Sequence, residues 1–127
     1  MLITILKTKI HRAIVTDAQL HYSGSITIDR NLMEHAKIKP FEKVLVVSLE
    51  SGERLETYVI LGEKNSGEIC INGAAARKIL KGDRIIIMAF AIVDDREARD
   101  FKPLIVRVDE NNRIISEEDH APESDEC

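Results

Sequence analysis

Short aliphatic, β-branched runs cut off by turn chemistry recur along the whole chain, and they leave little besides a mainly β fold open to it. LITIL (2–6), RAIVT (12–16), ITI (26–28), KVLVVSL (43–49), RLETYVIL (54–61), ICIN (69–72) and RIIIMAFAIV (84–93) read as strands. LIVRVDENNRII (104–115) reads as a strand, an Asn-Asn turn and a short return. HYSGS (21–25), ESGE (50–53), EKNSGE (63–68) and KGD (81–83) supply the turns between them. Helix is expected in two places only. Asp29 is placed as the N-cap of a helix over 30–37 that Pro40 closes, and an Ala-rich helix is expected over 73–80. DDREARDFKP (94–103) adds a polar helical turn.

An internal echo accompanies this pattern. A helix leads into IKPFEKVLVV (38–47), and another leads into LKGDRIIIMA (80–89). Two such units suit a pseudo-two-fold barrel in which each half closes the other's sheet edge. A chain of 127 residues fits one domain, and with 4% aromatic residues and no Trp its core must be aliphatic. No apolar run approaches the roughly 18 residues of a membrane helix, and the N-terminus lacks secretory-signal character. Cys70 and Cys127 make no disulfide framework, so a reducing, cytoplasmic setting is expected. Residues 117–127 carry six acids and no Lys or Arg, leaving sixteen acids against eighteen bases in the rest. The body is therefore a domain over 1–115, and 116–127 is expected to be an acidic, disordered tail. A body this close to neutral argues against a nucleic-acid groove, including that of a swapped-hairpin DNA-binding domain.

Standard phosphate-loop, dinucleotide and metal signatures are absent, and His11, His21, His35 and His120 lack zinc spacing. Four local groups carry the chemistry. At Gly24-Ser25 a glycine permits unusual backbone and leaves its carbonyl open, so the Ser25 hydroxyl can attack it and turn the peptide into an ester; Gly-Ser is also ordinary turn sequence. In KTKIHR (7–12), Lys7, Lys9 and His11 share one face of an extended strand, as a basic wall for a small anion or as lysines guarding a sheet edge. In RLETY (54–58), Arg54 and Tyr58 share a parity that Thr57 does not. Arg54 could grip a carboxylate and Tyr58 could offer a phenolic proton, or both could be plain surface and barrel side chains. Asn72-Gly73-Ala74-Ala75-Ala76 could present backbone N–H groups to a ligand, or pack a helix closely on the sheet.

Together these groups resemble the pyruvoyl-dependent aspartate 1-decarboxylase family. KIHR (9–12), HYSGSITID (21–29), TYVI (57–60), NGAAA (72–76), GDRIII (82–87) and EAR (97–99) carry the likeness to about residue 115. The resemblance implies a six-stranded double-psi β-barrel with short helices, assembled as a homotetramer. It implies self-cleavage between Gly24 and Ser25, with Thr57 assisting by hydrogen bonding the tetrahedral oxyanion, and conversion of Ser25 into a covalent pyruvoyl group. It further implies decarboxylation of L-aspartate to β-alanine and CO2 for pantothenate and coenzyme A synthesis, through a Schiff base to the pyruvoyl ketone, with neither pyridoxal phosphate nor metal. In that scheme Tyr58 is the proton donor, Arg54 and Lys9 hold substrate, Asn72 bonds near the cofactor, and Thr57, Gly73, Ala74 and Ala75 complete the substrate site. His11 is a supporting residue. The opposed parities of Thr57 and Tyr58 imply a site between subunits, with Lys9 and Arg54 from one chain and Ser25 or Tyr58 from its neighbour. Some lineages of the family need an accessory protein, so a maturation factor stays open as a partner; no nucleic-acid or membrane partner is expected. Ile26 and Val47 stand where some relatives carry a small residue or Cys and an aromatic residue, which predicts slower processing and a looser substrate fit. The alternative is an uncleaved or non-catalytic barrel of the same ancestry with a binding or regulatory role.

Overall fold

The antiparallel ladder between β4 (Lys43–Ser48) and β7 (Arg84–Asp94) sits at the centre of the molecule. The computed structural model describes residues 1–118. Its other strands are β1 (Leu2–Ile14), β2 (Asp17–Gln19), β3 (Ser25–Asp29), β5 (Arg54–Gly62), β6 (Ile69–Asn72), β8 (Leu104–Val108) and β9 (Ile114–Glu118). They join in one sheet of order β2-β6-β3-β5-β4-β7-β1-β8-β9. Read outward from the β4–β7 pair, the two halves match. β5 and β1 flank it antiparallel, β3 and β8 follow parallel, and β6 and β9 follow antiparallel. The two echoed segments end in β4 and β7, so the internal repeat of the sequence is a two-fold in the sheet.

The mainly β fold with short helices is as expected, but its details differ. Nine strands form among the described residues, with the short β2 and β9 at the two ends of the order, and only β2 falls outside the runs read as strands. The runs at 2–6 and 12–16 are one strand, because β7 and β8 pair with the intervening KTKIH from both sides. Two bulges keep that long strand curved, one between Leu6 and Thr8 and one between His11 and Ala13, where Arg12 has φ 68°. The Ala-rich segment is a 3-10 helix confined to Gly73–Arg77. α1 (Arg30–Ala36) and α2 (Asp95–Ala98) are the other helices. Strand β9 reaches Glu118, three residues into the segment expected to be tail, and residues 119–127 lie outside the described residues.

Period-two alternation separates the faces. Ile26, Ile28, Val59, Ile69, Ile71, Val46, Ile85 and Ile87 point inward and are fully buried with Ile10, Val106 and Leu32 of α1. Each such side chain contributes roughly 1.5–3 kcal/mol of transfer free energy. The opposite face of the same strands is therefore available for chemistry.

Asp29 fixes the far end of β3. It is 1% exposed and accepts from three backbone N–H groups, those of Asn31, Asn65 and Gly67, each at 2.8 Å. The first caps α1; the other two shape the turn that leads into β6. One carboxylate thus ties together the strand that begins at Ser25 and the strand that ends at Asn72. Asp29→Ala is expected to lower unfolding free energy by about 3 kcal/mol, from three lost charge-assisted acceptor contacts. Urea denaturation measures this, and a loss below about 1 kcal/mol would contradict it.

Candidate active site

Ser25 opens β3 and stands directly opposite Asn72, the last residue of β6. Both are buried, at 2% and 3% exposure. The Asn72 carboxamide donates from Nδ2 to Ser25 Oγ at 2.9 Å and to Thr27 Oγ1 at 3.0 Å. Its Oδ1 accepts from the Cys70 thiol at 3.3 Å. Ser25 Oγ lies 3.5 Å from the Ser23 carbonyl, the outer limit of a hydrogen bond. Thr27 and Cys70 were not singled out in the sequence. Counting back and forward by two from Asn72 and Ser25 would have found them, since alternate residues share a face.

The chain around the Gly24–Ser25 peptide is held by glycine at Gly73. Gly73 has φ 77°, and a Cβ there would lie 2.8 Å from Gly24 Cα and 2.9 Å from Gly24 N. Only glycine allows this approach. Gly24 itself is not in the left-handed region, and a Cβ on it would meet nothing within 4 Å. The expectation of unusual backbone at Gly24 is therefore corrected: the left-handed backbone falls on Gly73 instead. Gly24, Thr57, Asn72, Ala74 and Ala75 line one groove of about 330 Å3, with Leu55, Glu56 and Lys78.

The remaining candidates lie on the outer face of the sheet. Ladder partners share a face, and the register places His11, Ile86, Val47 and Arg54 in one row across β1, β7, β4 and β5. Lys9, Met88, Leu45 and Glu56 form the next row, and Tyr58 pairs with Lys43. Arg54 and Tyr58 do share a face that Thr57 does not. Three strand spacings separate Lys9 and His11 from β5, roughly 14 Å at about 4.8 Å each. Tyr58 and Ser25 each stand one residue before the first β3–β5 ladder pair, Val59 with Ile26. The Tyr58 ring is half-exposed, 6.4 Å from that of Phe41. Arg54 lines a second groove with Thr4, Val44, Leu45, Phe90 and Ile92. One chain thus gathers Gly24, Ser25, Thr57, Asn72, Ala74 and Ala75, and leaves Lys9 and Arg54 apart.

The basic wall expected at Lys7, Lys9 and His11 does not form. Lys7 falls at the first bulge of β1 and is ion-paired to Glu42. His11 is 4% exposed, and its Nδ1 has no hydrogen-bond partner among the described residues. Burial pushes its pKa from 6.5 down to about 4, and the charges of Lys9, Arg107 and Arg12 push the same way. At neutral pH it is an uncharged imidazole beside cations. No group of three or more His, Cys, Asp or Glu among the described residues could hold a metal ion.

A folded-state pKa below the unfolded value means that the unfolded chain binds the proton first. The contribution of His11 to stability is therefore complete above about pH 6.5 and is lost as pH falls toward 4. An NMR titration of the native protein should give a His11 midpoint close to 4. A midpoint at or above 6.5 would contradict this environment.

The profile of the family described as aspartate decarboxylase matches residues 1–115. An aspartate 1-decarboxylase of Thermoanaerobacter pseudethanolicus is 59% identical over 112 residues, 88% of this chain and 96% of the relative. That of Acetivibrio thermocellus is 58% identical over 123 residues, 94% of this chain and 98% of the relative. That of Clostridium kluyveri is 53% identical over 120 residues, 94% of each chain. With the match running through every strand that carries a candidate residue as far as β8, this chain belongs to the aspartate decarboxylase family.

Proposed function

We propose that the protein is an aspartate 1-decarboxylase that converts L-aspartate to β-alanine and CO2 for pantothenate synthesis, after cleaving itself between Gly24 and Ser25. The observation that carries this reading is the buried Ser25 hydroxyl, held by Asn72 Nδ2 at 2.9 Å next to Gly24, against which Gly73 packs as only a glycine can. Membership of the family, at 53–59% identity to the three relatives above, supports the same activity.

Cleavage begins when Ser25 Oγ bonds to the Gly24 carbonyl carbon. The Gly24–Ser25 C–N bond breaks, and the hydroxyl proton ends on the freed Ser25 nitrogen. Thr57, in the same groove as Gly24, is assigned to stabilise the oxyanion of this step. Loss of the Ser25 Cα proton then expels the Gly24 carboxylate, and water replaces ammonia at the resulting dehydroalanine. The pyruvoyl group so formed supplies a ketone that serves as an electron sink. The surroundings fit it, because Asn72 already donates toward the Ser25 side chain and would keep a donor beside the group. Backbone groups of Gly73, Ala74 and Ala75 border the substrate. Arg54 holds one carboxylate through a two-pronged contact, and Lys9 neutralises the second. Tyr58 delivers a proton to the carbon that has lost its carboxylate; the strength of that carbanion as a base makes an ordinary phenol sufficient. His11, neutral and buried, supports Lys9 from the neighbouring row.

We assign the active unit as a homotetramer of double-psi barrels, each a single domain over 1–115, working in the cytoplasm. The separation of Lys9 from Arg54 within one chain supports a site completed by a neighbouring subunit. The exposed Phe90 and Ile92 beside the Arg54 groove supply apolar surface for that contact. No helix among the described residues is long and apolar enough to cross a membrane.

Purified protein incubated with L-aspartate should release β-alanine. Ser25→Ala should remain one chain with no release. Tyr58→Phe should cleave normally and lose at least about a hundredfold in turnover, the usual scale of a general acid. A Phe90→Glu chain that has cleaved but runs as a monomer should be inactive. Normal turnover by Tyr58→Phe would remove it as proton donor, and an active monomer would refute the shared site.

A further inference from the structure

We propose that Thr27 and Cys70 are positioning residues for self-cleavage, acting together to set which way round the Asn72 carboxamide sits against Ser25. This rests on the reading of Gly24–Ser25 as the cleavage site. The two ends of a carboxamide are nearly the same size and differ in being donor or acceptor. Rotation of Asn72 by half a turn would therefore fit the same space, with the opposite hydrogen-bond sense. The Cys70 thiol facing Oδ1 favours one sense, and the Thr27 hydroxyl, which can donate or accept, gives the second Nδ2 proton a partner in that sense. Cys70 is 6% exposed, and its thiol lies 3.3 Å from Oδ1. Burial, then the charges of Asp17 and Glu68, raise the thiol's pKa, so the sulfur keeps its proton and presents a donor. On the other side, the Thr27 and Ser25 hydroxyls each accept one of the two Nδ2 protons, at 3.0 and 2.9 Å. Thr27 and Cys70 are themselves ladder partners on β3 and β6, one step from the Ser25–Asn72 pair. The four side chains form one row-by-row square on the face opposite the core.

The sense matters for the covalent step. With Nδ2 donating to Ser25 Oγ, the oxygen is oriented and its own proton is engaged only in the long 3.5 Å contact to the Ser23 carbonyl, so it can pass to the departing nitrogen of the Gly24–Ser25 bond. With the carboxamide reversed, Oδ1 would accept that proton and hold it away from the nitrogen that must receive it. The step needs no oxidant, reductant or co-reactant: one C–O bond forms, one C–N bond breaks and one proton moves from oxygen to nitrogen.

The test follows conversion of freshly made full-length chain by denaturing mass spectrometry, for the parent and for Cys70→Ala, Cys70→Ser, Thr27→Val and Thr27→Ser. Cys70→Ala and Thr27→Val should each slow cleavage about five- to tenfold, the scale of one modest hydrogen bond. Cys70→Ser and Thr27→Ser, which restore the hydroxyl contact, should cleave within about twofold of the parent. Hydroxylamine splits the ester to give a Gly24 hydroxamate and a second fragment that begins with intact Ser25. In Cys70→Ala and Thr27→Val that fragment should fall together with the pyruvoyl product, because the acyl shift itself is slowed. Parental rates in both Cys70→Ala and Thr27→Val overturn the proposal. So do serine variants as slow as the alanine and valine ones, which would mark a packing role. A parent that never cleaves, even when heated or incubated with cell extract, overturns the reading of Gly24–Ser25 itself, and is recognised because no variant is then needed to see it.

Discussion

The β4–β7 ladder is the constraint on which the rest depends. It pairs the two echoed halves of the sequence at the centre of the sheet and sends each outward through the same antiparallel-then-parallel progression. Once that pair is set, period-two alternation commits one face of every central strand to the aliphatic core. Most polar residues on those strands then take the other face, and the register decides which of them meet. Ser25 meets Asn72 because β3 and β6 pair there. Lys9 and Arg54 do not meet because β7 and β4 lie between their strands.

Two different kinds of order therefore serve the reaction. The cleavage centre is local and buried, built within one chain from β3, β6 and the glycine at residue 73, and anchored at its far end by Asp29. The residues proposed to hold substrate are spread over an outer face that also carries exposed apolar side chains such as Phe90 and Ile92.

Much of this was legible in the sequence. β-branched runs marked the strands, Asp29 read correctly as a helix cap, and the shared parity of Arg54 and Tyr58 against Thr57 held in β5. What escaped has physical causes. β1 looked like two strands because KTKIH is polar, yet it is paired on both edges. Bulges moved Lys7 out of line with Lys9, which parity alone cannot foresee. His11 reads as part of a basic wall and is a buried neutral ring, since burial depends on strands distant in sequence. Gly24 drew attention as a flexible point, while the constrained glycine is Gly73, whose demand arises only when β6 brings it against Gly24. Cys70 and Thr27 carry no motif and become visible only through their contacts with Asn72.

The central claim is that Ser25 is poised to break its own chain and become the reactive group. Its most direct test is the intact mass of the purified 127-residue protein under denaturing conditions. The account predicts one piece of 24 residues ending in Gly24 and one of 103 residues, lighter by one ammonia than a chain beginning with Ser25. A second piece with the full mass of a serine N-terminus, or a chain that stays uncut after prolonged incubation with heat or cell extract, would contradict it.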